Sequence, residues 1–166
     1  MKKIVILFVL LFSYSLNARP SIRWTPLVQQ TVAYFSSDRI TTGGLGFGVG
    51  SQFIIGKHFI AQADAGLLWA NGNVVNTRLA FGYQLDGRWQ PAVLATFNLF
   101  WGQRTEILSE SGQRPASPVW VVGFRLAPVR FSGARAQVSA LELGYGMGPD
   151  GGVNLELTIF SVGIGW

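Results

Sequence analysis

The feature that most constrains this chain is an alternation of bulky apolar and very small residues with period two, recurring in segments of about ten residues. It is clearest at the carboxyl end, where Phe160, Val162, Ile164 and Trp166 alternate with Ser161, Gly163 and Gly165. Successive side chains of a strand point to opposite faces, so this pattern describes strands lying between two dissimilar surroundings. Turn signals divide residues 27 to 166 into eight segments, approximately Leu27 to Phe35, Gly44 to Ile54, His58 to Trp69, Val74 to Leu85, Trp89 to Trp101, Val119 to Phe131, Arg135 to Met147 and Val153 to Trp166. Tight turns at 55–57, 86–88 and 132–134 alternate along the chain with the connections 36–43, 70–73, 102–118 and 148–152, which include the longer loops.

Hydrophobic residues make up 49% of the chain and charged residues only 13%, yet nothing after the first twenty residues offers the roughly 18 uncharged apolar residues of a membrane helix. Apolar surface carried by strands can meet lipid only if the sheet closes on itself, because hydrocarbon satisfies no backbone hydrogen bond. Residue size decides which face is outside. In the fourth segment Thr77, Leu79, Phe81, Tyr83 and Leu85 oppose Asn76, Arg78, Ala80, Gly82 and Gln84; in the second, Leu45, Phe47, Val49 and Phe53 oppose Gly44, Gly46, Gly48, Gly50 and Gln52. The second face is too small and too sparsely polar to be a water-exposed coat, so it lines a narrow interior. A soluble lipocalin-like barrel would reverse the two faces. Trp69, Tyr83, Trp89, Trp101, Trp120, Tyr145 and Trp166 lie near segment ends, where an amphipathic ring suits the membrane interface. The expected fold is all-β: one eight-stranded antiparallel up-and-down transmembrane barrel over residues 19–166, with the short turns and both termini on the periplasmic side.

The first residues have the three-part layout of a secretory signal peptide: Met1-Lys2-Lys3, an apolar run from Ile4 to Phe12, then small and polar residues to Ala18. Cleavage after Ala18 and export are expected; an uncleaved anchor is the alternative. Losing Lys2 and Lys3 takes the formal charge from +5 to +3. There is no cysteine, hence no disulfide and no lipidated amino-terminal cysteine. The arginines are scattered, and no nucleic-acid motif surrounds them.

With this pattern the mature chain resembles the small eight-stranded outer-membrane barrels of Gram-negative bacteria, the OmpA/OmpX type. The resemblance implies an outer-membrane location and no cofactor. It implies contact with outer-membrane lipids and lipopolysaccharide, and it makes Phe160, Val162, Ile164 and Trp166 the signal read by the outer-membrane assembly machinery. Most relatives end in Phe, where this chain has Trp. A monomer without nucleic-acid partners is expected. In the last segment Leu155 and Leu157 have the opposite phase to Phe160 and Val162. We expect Leu157 and Ile159 to point inward and Glu156 to lie above the membrane, in preference to a bulge.

Four charges fall on the small face: Asp64, Arg78, Arg125 and Glu142. Enclosed charges are costly unless paired, so two structural ion pairs are expected, Arg125 nearly opposite Glu142 and Asp64 one diagonal from Arg78. A small polar conduit is the alternative. The Gly43–Gly50 run has glycine at every second position, not the spacing of a phosphate-binding loop. His58, the only histidine, has no local serine and carboxylate to form a hydrolytic triad, and no metal site is expected. The 102–118 loop, with Arg104, Glu106, Glu110 and Arg114, is the candidate surface for recognition. No catalytic residue is assigned. The expected function is a non-enzymatic barrel that supports the envelope or presents a surface loop; a narrow passive channel and a lipid-modifying membrane enzyme are the alternatives.

Overall fold

The computed structural model describes residues 22–70, 72–106, 118–133 and 136–165. The signal segment, Glu110, Arg114 and Trp166 lie outside the described residues. The strands are β1 (Ile22–Ser36), β2 (Ile40–Ile55), β3 (Phe59–Trp69), β4 (Asn73–Gln84), β5 (Ala92–Gly102), the short β6 (Thr105–Glu106), β7 (Val119–Ala127), β8 (Val129–Ser132), β9 (Ala136–Met147) and β10 (Val153–Ile164). β7 and β8 both pair with β9 and form one wall strand, interrupted at Pro128, which has no N–H to give the ladder. β6 pairs only with the end of β2. Eight wall strands remain, all antiparallel, and β1 pairs with both β2 and β10, which closes the cylinder.

The register fixes its shape. Stepping around the wall from Ile22, the paired residues are Ile55, Phe59, Tyr83, Val93, Leu126, Leu143, Leu157 and finally Val32. The circuit therefore returns to β1 about ten residues higher than it began. With about 3.3 Å per residue and about 4.8 Å between strands, that stagger tilts the strands by about 40° and gives a radius of roughly 8 Å. Such a cylinder holds side chains and little else.

Alternation is observed in the expected sense. Phe47, Phe81 and Phe97 are exposed on the outside, as are Leu79, Val93 and Phe124, while Gly46, Gly48, Asp64, Arg78 and Arg125 face the axis. Small inward residues are needed where strands crowd the axis: a Cβ on Gly50 would stand 2.5 Å from the Cβ of Asp64. From Asn73, level with Trp69, to Tyr83, level with Phe59, the wall rises about 33 Å along the strand, or about 25 Å along the axis, which is the height of the apolar band of such barrels.

One expectation is overturned. Leu155 is exposed and Leu157 half-buried on the outer side, whereas Glu156 is buried in the lumen. A bulge does intervene: Gln30 pairs with Phe160 and Thr31 with Thr158, leaving Ile159 unpaired. The extra residue lets Thr158 and Ser161 both face inward, so Phe160, Val162 and Ile164 regain the outer face.

Candidate functional site: the lumen and its two ends

Three layers fill the lumen. At the loop end lies an apolar plug of Ala33, Phe35, Ile40, Leu68, Val74, Phe100, Val119 and Val121, all buried. Phe35 is held against the chain reversal after β9: a Cβ on Gly148 would come within 2.6 Å of its ring, and one on Gly152 would overlap it. These large apolar residues stand on the inward phase at the strand ends, so the inner face is not uniformly small.

Below the plug an ionic chain crosses the axis. Arg78 grips Asp64 with two nitrogens, Nε to Oδ2 at 3.1 Å and Nη2 to Oδ1 at 2.8 Å, the fork geometry that suits a carboxylate. Its Nη1 reaches Glu156, and its Nη2 also donates to Gln29 Oε1 at 2.9 Å. Glu156 accepts in turn from Arg125 Nη2 at 2.8 Å, and Arg125 Nη1 donates to Glu142 at 3.1 Å. Gln29 and Gln62 complete the shell of Asp64 at 2.8 and 3.0 Å. Five charged residues from β3, β4, β7, β9 and β10 thus form one continuous strut. Two details differ from the sequence expectation. Asp64 stands directly opposite Arg78, not on a diagonal, whereas Arg125 is level with Gly144 and reaches Glu142 one step toward the turn. The expected pairs are also joined into a single network through Glu156, which lies in the lumen and not above the membrane.

The third layer, toward the short turns, is polar and was not anticipated. Arg130 is buried and donates to Gln52 Oε1 at 2.6 Å, and Gln52 donates to Gln137 Oε1 at 2.9 Å. Arg23 spans the mouth from β1 to Ser132 Oγ at 2.9 Å. The inward phase of Gln52, Arg130 and Gln137 was the signal available, and the break at Pro128 obscured it. An apolar patch of Ile60, Ala80, Ala92, Leu94 and Ala127 fills the remaining side.

The aromatic candidates ring the outside. Trp69, Trp101 and Trp120 are exposed at the loop end and Tyr83 and Trp89 at the turn end; Tyr145 is half-buried against Phe124, with ring centroids 6.0 Å apart. Trp89 precedes β5 and donates its indole N–H to the Pro128 carbonyl at 2.8 Å. Trp24 and Tyr34, exposed on β1, extend the two belts. His58 stacks on Tyr83, centroids 5.1 Å apart, with Nδ1 3.2 Å from the Gln84 carbonyl oxygen.

The start of the long connection does not hang free. Gln103 exchanges hydrogen bonds with Asn73 at 3.1 and 3.0 Å and accepts from Thr42 Oγ1 at 3.0 Å. β6 then pairs Thr105 with Thr41 and Glu106 with Ile40. Arg104 is half-buried in this stitching, and Glu106 belongs to β6.

A closed eight-stranded antiparallel cylinder, apolar outside and packed within, is the architecture of the small bacterial outer-membrane barrels. Solved structures give the particular likeness: Neisserial surface protein A (NspA) matches over 85% of this chain and 96% of its own, with a TM-score of 0.60 and 12% sequence identity. The attachment invasion locus protein Ail of Yersinia pestis, solved with the heparin analogue sucrose octasulfate, matches over 87% and 99% with a TM-score of 0.42 and 7% identity. No family model matches the chain, and no curated protein matches it. The shared property is the fold.

Proposed function

We propose that this chain is a non-enzymatic integral barrel of the bacterial outer membrane, exported by its amino-terminal signal, which serves envelope integrity or presents the 102–118 connection to a partner. The observation that carries the reading is the outer surface: Phe47, Phe81, Phe97 and Leu79 stand exposed at mid-wall, a coat that only acyl chains would cover without cost. Its partners on this reading are outer-membrane lipids and lipopolysaccharide, and the assembly machinery through Phe160, Val162 and Ile164 together with the final Trp166. Asp64, Arg78, Arg125 and Glu142 act as struts joined by Glu156, and the protein works as a monomer. The plug of Phe35, Phe100 and Val119 above a filled ionic layer favours a sealed lumen over a channel.

Fractionation followed by gel electrophoresis with and without boiling tests the location and the fold together: recovery in the outer membrane with heat-dependent migration is expected. A freely soluble periplasmic protein would overturn the reading. Planar bilayers test the sealed lumen, where discrete conductance steps from the purified chain would favour the channel alternative.

A further inference from the structure

The charged groups are distributed unequally between the two ends of the cylinder. Among the described residues the turn end carries Arg23, Lys57, Arg88 and Arg130 against the single acid Asp86, whereas the loop end carries Arg39 and Arg104 against Asp38, Glu106 and Asp150. The first set sums to +3 and the second to −1. Three segments bring the turn-end cations onto one platform. The 84–91 connection is tied to the 55–58 turn by Gln84, whose backbone N–H donates to His58 O at 2.8 Å and whose Nε2 donates to Lys57 O at 3.0 Å. The same connection is tied to β8 by Ser132 N–H to Arg88 O at 3.0 Å and Gln90 N–H to Arg130 O at 2.8 Å.

Lys57 and Arg88 are the exposed cations of this platform, whereas Arg23 is half-buried and Arg130 buried. Lys57 contacts Asp86 at 3.2 Å, with both side chains at least half exposed, a pairing weak enough for a stronger anion to displace. Arg88 faces no carboxylate among the described residues. Directly above them, toward the bilayer, Leu85, Trp89 and Phe131 are exposed, and Trp89 and Phe131 are bridged across the strands. Cations immediately beyond an aromatic and aliphatic wall match a molecule with an anionic head and apolar tails.

We propose that this end of the barrel is a seat for anionic phospholipid headgroups, with Lys57 and Arg88 holding the phosphate while the chains lie against Trp89 and Phe131. The proposal rests on the membrane-barrel reading and adds a lipid preference to it. The guanidinium of Arg88 can give two parallel hydrogen bonds to a phosphodiester, and Lys57 supplies a second point charge. Zwitterionic headgroups bring a cation of their own and gain less from either.

The test uses the full chain refolded into vesicles of phosphatidylcholine mixed with phosphatidylglycerol, followed by native mass spectrometry of the protein released with its bound lipid. Phosphatidylglycerol is expected to be retained above its bulk ratio by about five-fold for each engaged cation. Lys57→Gln with Arg88→Gln should bring the ratio to within about two-fold of bulk, and Arg39→Gln at the loop end should leave it unchanged. Absence of enrichment in the unsubstituted protein, or enrichment that survives the double substitution, overturns the proposal. Heat-dependent gel migration from pure phosphatidylcholine vesicles separates the two levels: a chain that inserts there without lipid preference refutes the seat alone, and one that inserts into neither vesicle refutes both.

Discussion

Replacing Glu156 by Gln is the sharpest probe of the lumen, because this carboxylate alone touches both guanidinium groups and its side chain is only 2% exposed. Removing one partner from a buried ion pair costs about 3–5 kcal/mol, since it strands the opposite charge. The amide keeps the volume and one acceptor oxygen, which returns about 1 kcal/mol as a neutral hydrogen bond. The expected net loss is roughly 2–4 kcal/mol, with no reduction for solvent screening at this depth. The substitution also leaves Asp64 and Glu142 to balance Arg78, Arg125 and Arg130, so the loss should be shared with its neighbours. Urea unfolding in phosphatidylcholine vesicles, followed by tryptophan fluorescence, measures it. A double-mutant cycle with Arg78→Gln should give a coupling of about 1–3 kcal/mol, because the two residues are in contact. Loss below about 0.5 kcal/mol, or a coupling near zero, would place Glu156 outside the network and refute the inward phase of β10.

Leu79→Arg, at mid-wall on the outer face, should cost about 2–4 kcal/mol in vesicles, against about 0–1 kcal/mol for Leu85→Arg at the rim, and equal costs would contradict the depth assignment. Phe35→Ala removes one of the two phenyl rings of the apolar plug and should cost about 3–5 kcal/mol by the same urea assay; a change near zero would mean that the loop-end cluster is not packed. Asp86 has its pKa lowered from the ordinary 3.8, first by the hydrogen bond from Lys57 and then by that from the Gly87 N–H. A depressed carboxyl stabilises the fold above the ordinary value and loses that contribution as pH falls below it. Carbon-detected NMR should therefore show the Asp86 midpoint rising in Lys57→Gln, and an unmoved midpoint would discount the contact.

Much of this fold was legible because a two-sided wall writes its environment into every second residue. Phe47, Val49 and Phe53 against Gly46, Gly48 and Gly50 left one orientation physically sensible, and the connections gave the strand count. Inside the barrel the sequence is less explicit. The plug residues Phe35, Phe100 and Val119 are as bulky as lipid-facing ones and differ from them only in phase, at strand ends where the phase is hardest to follow. Arg130 and Gln137 were hidden for the same reason, since each stands beyond a point where the alternation slips by one. Asp64 and Arg78 could be found because their strands have no slip, and Arg125 and Glu142 because both lie on the loop-end side of the slips, opposite Arg130 and Gln137 on the turn-end side. Partners within the lumen depend on which strands face each other across the axis, and local spacing carries no record of that.

The slips themselves follow a rule. Inward residues are three apart, instead of two, at Ala127 and Arg130, at Ser139 and Glu142, and at Thr158 and Ser161. In each case the outward run breaks at one level of the wall, at Pro128, Leu141 and Ile159. Leu141 is one of two described non-glycine residues with positive φ, at 55°, as expected of a strand that must gain a residue locally. Because β8 and β9, and then β9 and β10, slip together, the pairing between them stays in register above and below this level, and the shifts fall at the two outer seams: against β1 between Gln30 and Thr31, and against β5, where Ala92 pairs with Ala127 but Trp89 bridges Phe131. Without the slip, strict alternation along β10 would force a choice, either Glu156 into lipid or Phe160, Val162 and Ile164 into the lumen. The shared dislocation removes that conflict: it lets one half of the wall keep its acids on the ionic strut while the other half keeps its aromatic and aliphatic residues on the bilayer.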